Sequence, residues 1–226
     1  MFSLSSCAEL QQIANQYPSL GTIGTIEIAS GLREALNNGI TKQVTKLTAT
    51  DGFYKNEAVK ILLPEELRKV DAGLRSIGLS ALADEGLKAL NRAAEDAVKE
   101  ATPIFVSAVK NITFTDAKTI LLGNNSAATT YLQNSTSTAL YAKFNPVIRN
   151  SFSKVGADKI WTNIITRYNS IPLVRKVNPD LNDYVTNQAM NGVFKMIAAE
   201  EQNIRTNITA RTSPLLLSVF AMQDKK

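Results

Sequence analysis

Two features of this chain carry residue types that could do chemistry: a lone cysteine and a pair of adjacent glutamates. Cys7 is the only cysteine among 226 residues, and it closes the string Leu4-Ser5-Ser6-Cys7. An aliphatic residue and two small residues before a cysteine have the form of a bacterial lipobox. There the cysteine is lipidated and becomes the mature N-terminus. Such a signal carries a basic start and an apolar run of roughly 7–15 residues ahead of the cleavage site; here Met1-Phe2-Ser3 precede the motif. The second feature is Glu200-Glu201, with Arg205 four residues after Glu201. Glu and Arg at that spacing form an ordinary stabilising helix pair. In an open groove, a partly buried glutamate can instead be a general acid. α-Rich enzymes that cleave wall glycans can work with one such carboxylate, so Glu200 and Glu201 define an enzyme hypothesis.

Composition removes most other chemistry. The chain has no histidine, so the usual general base, the commonest metal ligand and the partner in Ser-His-Asp sites are missing. One cysteine excludes an internal disulfide framework and a thiolate zinc site. Neither a Walker phosphate loop nor a dinucleotide fingerprint is present. Asp180-Leu181-Asn182-Asp183 lacks the glycine and the terminal glutamate of a calcium loop. The balance is against an enzyme, with no catalytic residue assigned, and neither a metal nor a cofactor is expected.

Charge is unevenly distributed. Residues 1–113 hold 12 Lys+Arg and 13 Asp+Glu, whereas residues 114–226 hold 13 and 7. The surplus is densest at Lys143, Arg149, Lys154, Lys159, Arg167, Arg175 and Lys176, opposed only by Asp158. Such a block suits anionic partners, whether lipid headgroups, wall polymers or nucleic acid. It also reads as a solvated helical face. Tyr141, Phe144, Phe152, Trp161 and Tyr168 interleave with it, and base stacking is one use for such aromatics. Their helical spacing instead places most of them in a core, which leaves nucleic acid as the weakest partner.

The elements that must position these residues read as helices. Ile28, Leu32, Leu36, Ile40, Val44 and Leu47 recur every three or four positions. Asp51-Gly52 breaks that stripe, and Val59–Leu63 reads as extended ahead of Pro64. Further helices are predicted from Pro64, over Leu79 to about Val98, from Thr102-Pro103 to Val109, and from a cap at Thr115 or its neighbour to Gly123. Residues 124–138, rich in Asn, Ser and Thr, read as a loop, or as a weak helix around Ala127 to Leu132. Phe144, Ile148, Phe152 and Val155 form one stripe, interrupted by Pro146 and ended by Gly156, and Ile160, Trp161, Ile164, Ile165 and Tyr168 the next, ended near Pro172. Asn178-Pro179 opens a long helix, and Ser213-Pro214 starts a terminal apolar one that docks on the bundle or covers an apolar cavity. Alternating β-branched runs are missing. The expectation is an all-α single compact multi-helix bundle of about eight helices, with a truncated lipobox and tether over 1–25 and a helical domain over 26–226. No stretch approaches the ~20 apolar residues of a membrane span.

Several ordered segments are shared with a known family. They are Gly31-Leu-Arg-Glu-Ala-Leu36, Asp51-Gly52-Phe53, Leu90-Asn91-Arg92-Ala93-Ala94-Glu95, Thr115-Asp116-Ala117-Lys118 with Leu122-Gly123, Ala127-Ala128-Thr129, and Phe194-Lys195-Met196-Ile197 followed by Glu200-Glu201 and Ile204-Arg205. On these, the chain resembles the bacterial domain-of-unknown-function family 4197 from about Gly31 to Phe220. The resemblance implies a helical, exported or lipid-anchored envelope protein of Gram-negative bacteria, without an assigned activity. It supplies no catalytic residue, and at Asn124-Asn125 this chain departs from the glycine and aspartate of its relatives. Polar residues within the matching segments are the candidate groove: Asn91, Arg92, Asp116, Thr129, Glu200, Glu201 and Arg205. They read equally as buried partners that fix helix packing. Together these readings give a lipoprotein of the cell envelope, facing the periplasm and anchored through Cys7. It would act as a non-catalytic binding or scaffold module for an apolar or anionic envelope ligand, lipid or polymer.

Overall fold

A computed structural model of the chain describes residues 24–76, 78, 80–154, 158, 162, 166, 169, 170, 172, 173, 176 and 181–224. Cys7 and nearly all of the expected tether lie outside these, as do Lys159, Arg167, Arg175, Val155, the whole stripe Ile160, Trp161, Ile164, Ile165 and Tyr168, and Asn178-Pro179. Among the described residues there are eight α-helices, one 3-10 turn and no strand. The helices are α1 (Thr25–Thr48), α2 (Glu65–Ser76), α3 (Ser80–Val98), α4 (Ala101–Lys110), α5 (Phe114–Leu121), α6 (Ala127–Lys154), α7 (Leu181–Thr206) and α8 (Pro214–Asp224); the 3-10 turn spans Ile208–Ala210. None of the described helices is long and apolar enough to cross a membrane.

The long helices make the core. α6 runs along α7 and α3, and α1 packs on α7 with α4, α5 and α8 beside it. The stripe read from the sequence is the buried face of α1: Ile28, Leu32, Leu36, Ile40, Val44 and Leu47 are all buried. Phe144 and Phe152 are fully buried, so these aromatics serve packing. α8 settles where α1 has no side chain. A Cβ on Gly31 would stand 2.6 Å from Val219 Cγ2.

Three boundaries differ from expectation, each for a local reason. The cap of α5 is Thr113, two residues before Thr115. Its hydroxyl accepts the Asp116 N–H (3.1 Å), and the Asp116 carboxylate accepts the Thr113 N–H (3.0 Å), a reciprocal capping box. Residues 127–138 are regular helix, which agrees with the alternative of a weak helix around Ala127 to Leu132 and extends it, and not with a loop. The Thr136 and Ser137 hydroxyls donate back to the Leu132 and Gln133 carbonyls at 2.6 Å each, and Ser135 donates to Tyr131. The polar side chains are thereby satisfied within the helix, while Ala128, Leu132, Thr136 and Leu140 face the core. Pro146 does not interrupt α6. Pro146 and Ala142 are both exposed, so the carbonyl that loses its donor lies at solvent.

Candidate functional site

The polar residues singled out above do not form one groove. They fall into three clusters, each set by the helix that carries it.

The first cluster is built on α7. Glu201 and Arg205 lie one turn apart, with side chains 6% and 1% exposed, and form an ion pair at 2.8 Å. Glu201 also caps α6, a helix distant in sequence. Its Oε1 accepts the Ala128 N–H (2.9 Å), and its Oε2 accepts the Thr129 N–H (2.8 Å) and hydroxyl (2.7 Å). The first N–H groups of a helix have no partner within it and carry its positive end; a buried carboxylate answers both needs. Arg205 does the converse for α5. It donates to the Leu121 carbonyl (3.0 Å), the Ile120 carbonyl (2.8 Å) and Gln223 Oε1 of α8 (2.7 Å). One ion pair therefore joins the start of α6, the end of α5 and the tail of α8.

Glu200 points the other way, to α1. Its carboxylate accepts from Lys42 Nζ (2.6 Å) and from Gln43 Nε2 (2.7 Å). Glu200, Glu201 and Arg205 share a pocket wall with Leu32, Leu36 and Phe220, and the free space inside is ≈ 20 Å³. That holds about one water. Ligand pockets begin at roughly 300 Å³, and no sugar ring fits.

The second cluster sits on α3. Asn91 is fully buried and clasps one residue of the segment before α2. Its Oδ1 accepts the Ile61 N–H (2.8 Å), and its Nδ2 donates to the Ile61 carbonyl (2.9 Å) and to Leu87 (2.8 Å). Arg92 bridges Glu95 (2.6 Å) and Asp51 (2.7 Å), and Lys55 closes on Asp51 at 2.9 Å. The Phe53 N–H donates to Glu95 (3.1 Å). Asp51 is left-handed, at φ 66°. A Cβ on Gly52 would fall 2.4 Å from the Lys46 carbonyl oxygen, so this turn admits no side chain there. Asp116, with Thr113, makes the third cluster at the start of α5.

Three carboxyls titrate below the usual range. Hydrogen bonds from Lys55, Thr113 and Arg211 do this at Asp51, Asp116 and Asp224 respectively. Each folded pKa lies under its unfolded value, so each contributes stability above the unfolded pKa and loses it as pH falls through the folded one. Thermal unfolding curves should therefore be insensitive to pH near neutrality and drop below about pH 4. Asp224→Asn should flatten part of that acid slope, by removing the carboxylate that Arg211 Nη2 holds at 2.8 Å.

The basic surface is divided. Lys143, Arg149, Lys154 and Lys176 are exposed. On α6, Lys143 and Lys154 fall within about 20° of each other around the axis and Arg149 about 120° away, so these three make no single stripe. Sequence reasoning did not single out Glu95, Asp51 or the Arg211–Asp224 clasp as site partners. Glu95 was signalled by its place three residues after Arg92 on one helix face; nothing local marks Arg211. Among the described residues no group of acidic, histidine or cysteine side chains is placed to hold a metal ion.

The fold and these clusters define a helical domain in which the shared polar residues tie helices together. Over residues 22–221 the chain matches the family model described as "Protein of unknown function (DUF4197)", and it belongs to that family. No curated protein and no solved structure matches it.

Proposed function

We propose that this is a lipid-anchored envelope protein whose helical domain is a non-catalytic binding or scaffold module for an apolar or anionic envelope ligand. The observation that carries this reading is the employment of the carboxylates. Glu201 spends both oxygens on α6 and Arg205, and Glu200 is held by Lys42 and Gln43 beside a water-sized space. A general acid needs a proton to give and a substrate within reach; neither carboxylate is arranged for that. The missing histidine and the Leu4-Ser5-Ser6-Cys7 string support the same reading.

The experiment is the intact mass of the membrane fraction's protein, expressed from its own gene, together with mass spectrometry of whatever co-purifies. A chain beginning at an acylated Cys7, with a bound lipid or polymer, is the expected result. An unmodified chain in the soluble fraction would remove the anchor. Turnover of wall polymer that Glu200→Gln or Glu201→Gln abolishes would replace the binding module with a glycan-cleaving enzyme.

A further inference from the structure

We infer that α8 is a built-in substitute for a ligand: it fills an apolar slot beside α1 and occupies Arg211, and it yields both to an amphiphile that carries one carboxylate. The helix presents an apolar face and an acid. Leu216, Val219 and Phe220 are buried. Val219 sits over Gly31 of α1, and Phe220 walls the water-sized space that Leu32 and Leu36 also line. At the end of α8 the Asp224 carboxylate takes Arg211 through both oxygens, Oδ1 from Nη2 at 2.8 Å and Oδ2 from Nη1. The two parts adjoin, because the Arg211 guanidinium carbon lies 5.6 Å from the centre of the Phe220 ring. A carboxylate on Arg211, with an apolar chain running where Phe220 lies, repeats what α8 presents. Two parallel N–H···O bonds suit a planar carboxylate in particular.

The helix can leave without dismantling what it leans on. Arg211 is fixed to α7 independently of it, donating to the Ile204 carbonyl (3.1 Å) and the Arg205 carbonyl (3.0 Å). Arg205 gives up Gln223 but keeps Glu201 and the Leu121 and Ile120 carbonyls. The joint is short. Thr212 and Pro214 are exposed, and they flank Ser213, whose hydroxyl accepts the Leu216 N–H (3.2 Å). α8 packs chiefly on α1. With 11 residues it is marginal as a helix off the bundle, and an element of that kind opens ahead of the whole domain. Opening leaves one charge unbalanced. Among the described residues Asp224 is the carboxylate within ion-pair distance of Arg211. Glu201 is paired with Arg205, and Glu200 with Lys42, so neither acid cancels the cation at the mouth of the slot. A ligand that binds the open form draws the equilibrium toward it.

This deepens the binding-module reading and rests on it, so the test uses a chain without an anchor and a defined probe. Full-length Cys7→Ser protein has no other cysteine. In that background Val219→Cys puts one thiol beneath α8, and Val193→Cys puts one in the middle of α7 to report opening of the whole domain; both positions are fully buried. The rate of thiol modification is read under native conditions, with and without dodecanoate below its micellar concentration. Position 219 should react several-fold faster than 193. Dodecanoate should raise the rate at 219 several-fold further and leave 193 unchanged, whereas dodecanol should change neither. Asp224→Asn should raise the rate at 219 without any probe, and Arg211→Gln should remove the response to dodecanoate. Amide exchange at Val219 and Val193 in the natural chain reads the same opening without a substitution in the core. Equal rates at the two positions, a response at both, or dodecanol acting as dodecanoate does would overturn the inference. So would no response at 219, and if a ligand nevertheless co-purifies with the natural protein, the binding module stands and its site lies elsewhere.

Discussion

Glu201→Ala is expected to destabilise the domain by about 3–5 kcal/mol. The loss has two sources. Arg205, with a side chain only 1% exposed, is left as a buried charge without a counter-ion. The Ala128 and Thr129 amides lose the acceptor that caps α6. A domain of this kind has about 5–15 kcal/mol in total, so the variant should be largely unfolded at modest urea. The measurement is a urea titration. A shifted midpoint with an unchanged slope reports lost stability rather than a changed ensemble. Glu201→Met with Arg205→Leu should recover part of the loss, because removing both partners leaves no orphan charge. A single variant within about 1 kcal/mol of the natural protein would show that the ion pair is not buried as described.

Asn91→Leu is expected to cost about 2–4 kcal/mol, since it strands both polar groups of Ile61 in the core. Leucine is close in size and apolar, so packing is nearly conserved and hydrogen bonding is what changes. The informative readout is local. Amide exchange at Ile61 should accelerate strongly, because its N–H is held by Asn91 Oδ1 alone at 2.8 Å, while amides in the middle of α7 should change only as far as global stability does. Asn91→Asp should cost at least as much, because it sets a buried carboxylate against the Ile61 and Leu87 carbonyl oxygens. It keeps the acceptor for the Ile61 N–H but loses the donor to the Ile61 and Leu87 carbonyls.

How much of this was legible in the sequence depends on the range of the interaction. The face of α1 was readable because burial repeats with the helical period; Leu32, Ile40 and Leu47 fall where the pattern puts them. The start of α6 was not. Its run of Ser and Thr suits a loop locally, and only the tertiary environment, with Thr136 buried against the core and Glu201 at the helix start, selects helix. The same limit holds for the polar clusters. Glu201 and Arg205 announce themselves as a pair four residues apart. Their true partners, Thr129, Ile120 and Gln223, are separated from them by 72, 85 and 18 residues. A one-dimensional pattern cannot tell an exposed helix pair from a buried cap. It was the burial of that pair, not its spacing, that moved Glu201 from a candidate acid to a structural tie.

The clasp of α8 has a consequence in time as well as in space. The first helix of the domain leans on the last two, α7 and α8. Arg205, near the end of α7, completes its hydrogen bonds only when Gln223 arrives. Long-range closures of this kind are late events, because the chain must first lose the entropy of the intervening loop. During synthesis Gly31 therefore lacks its Val219 neighbour until residues 214–224 have been made, whereas the sides of α1 that face α4, α5 and α7 can close earlier.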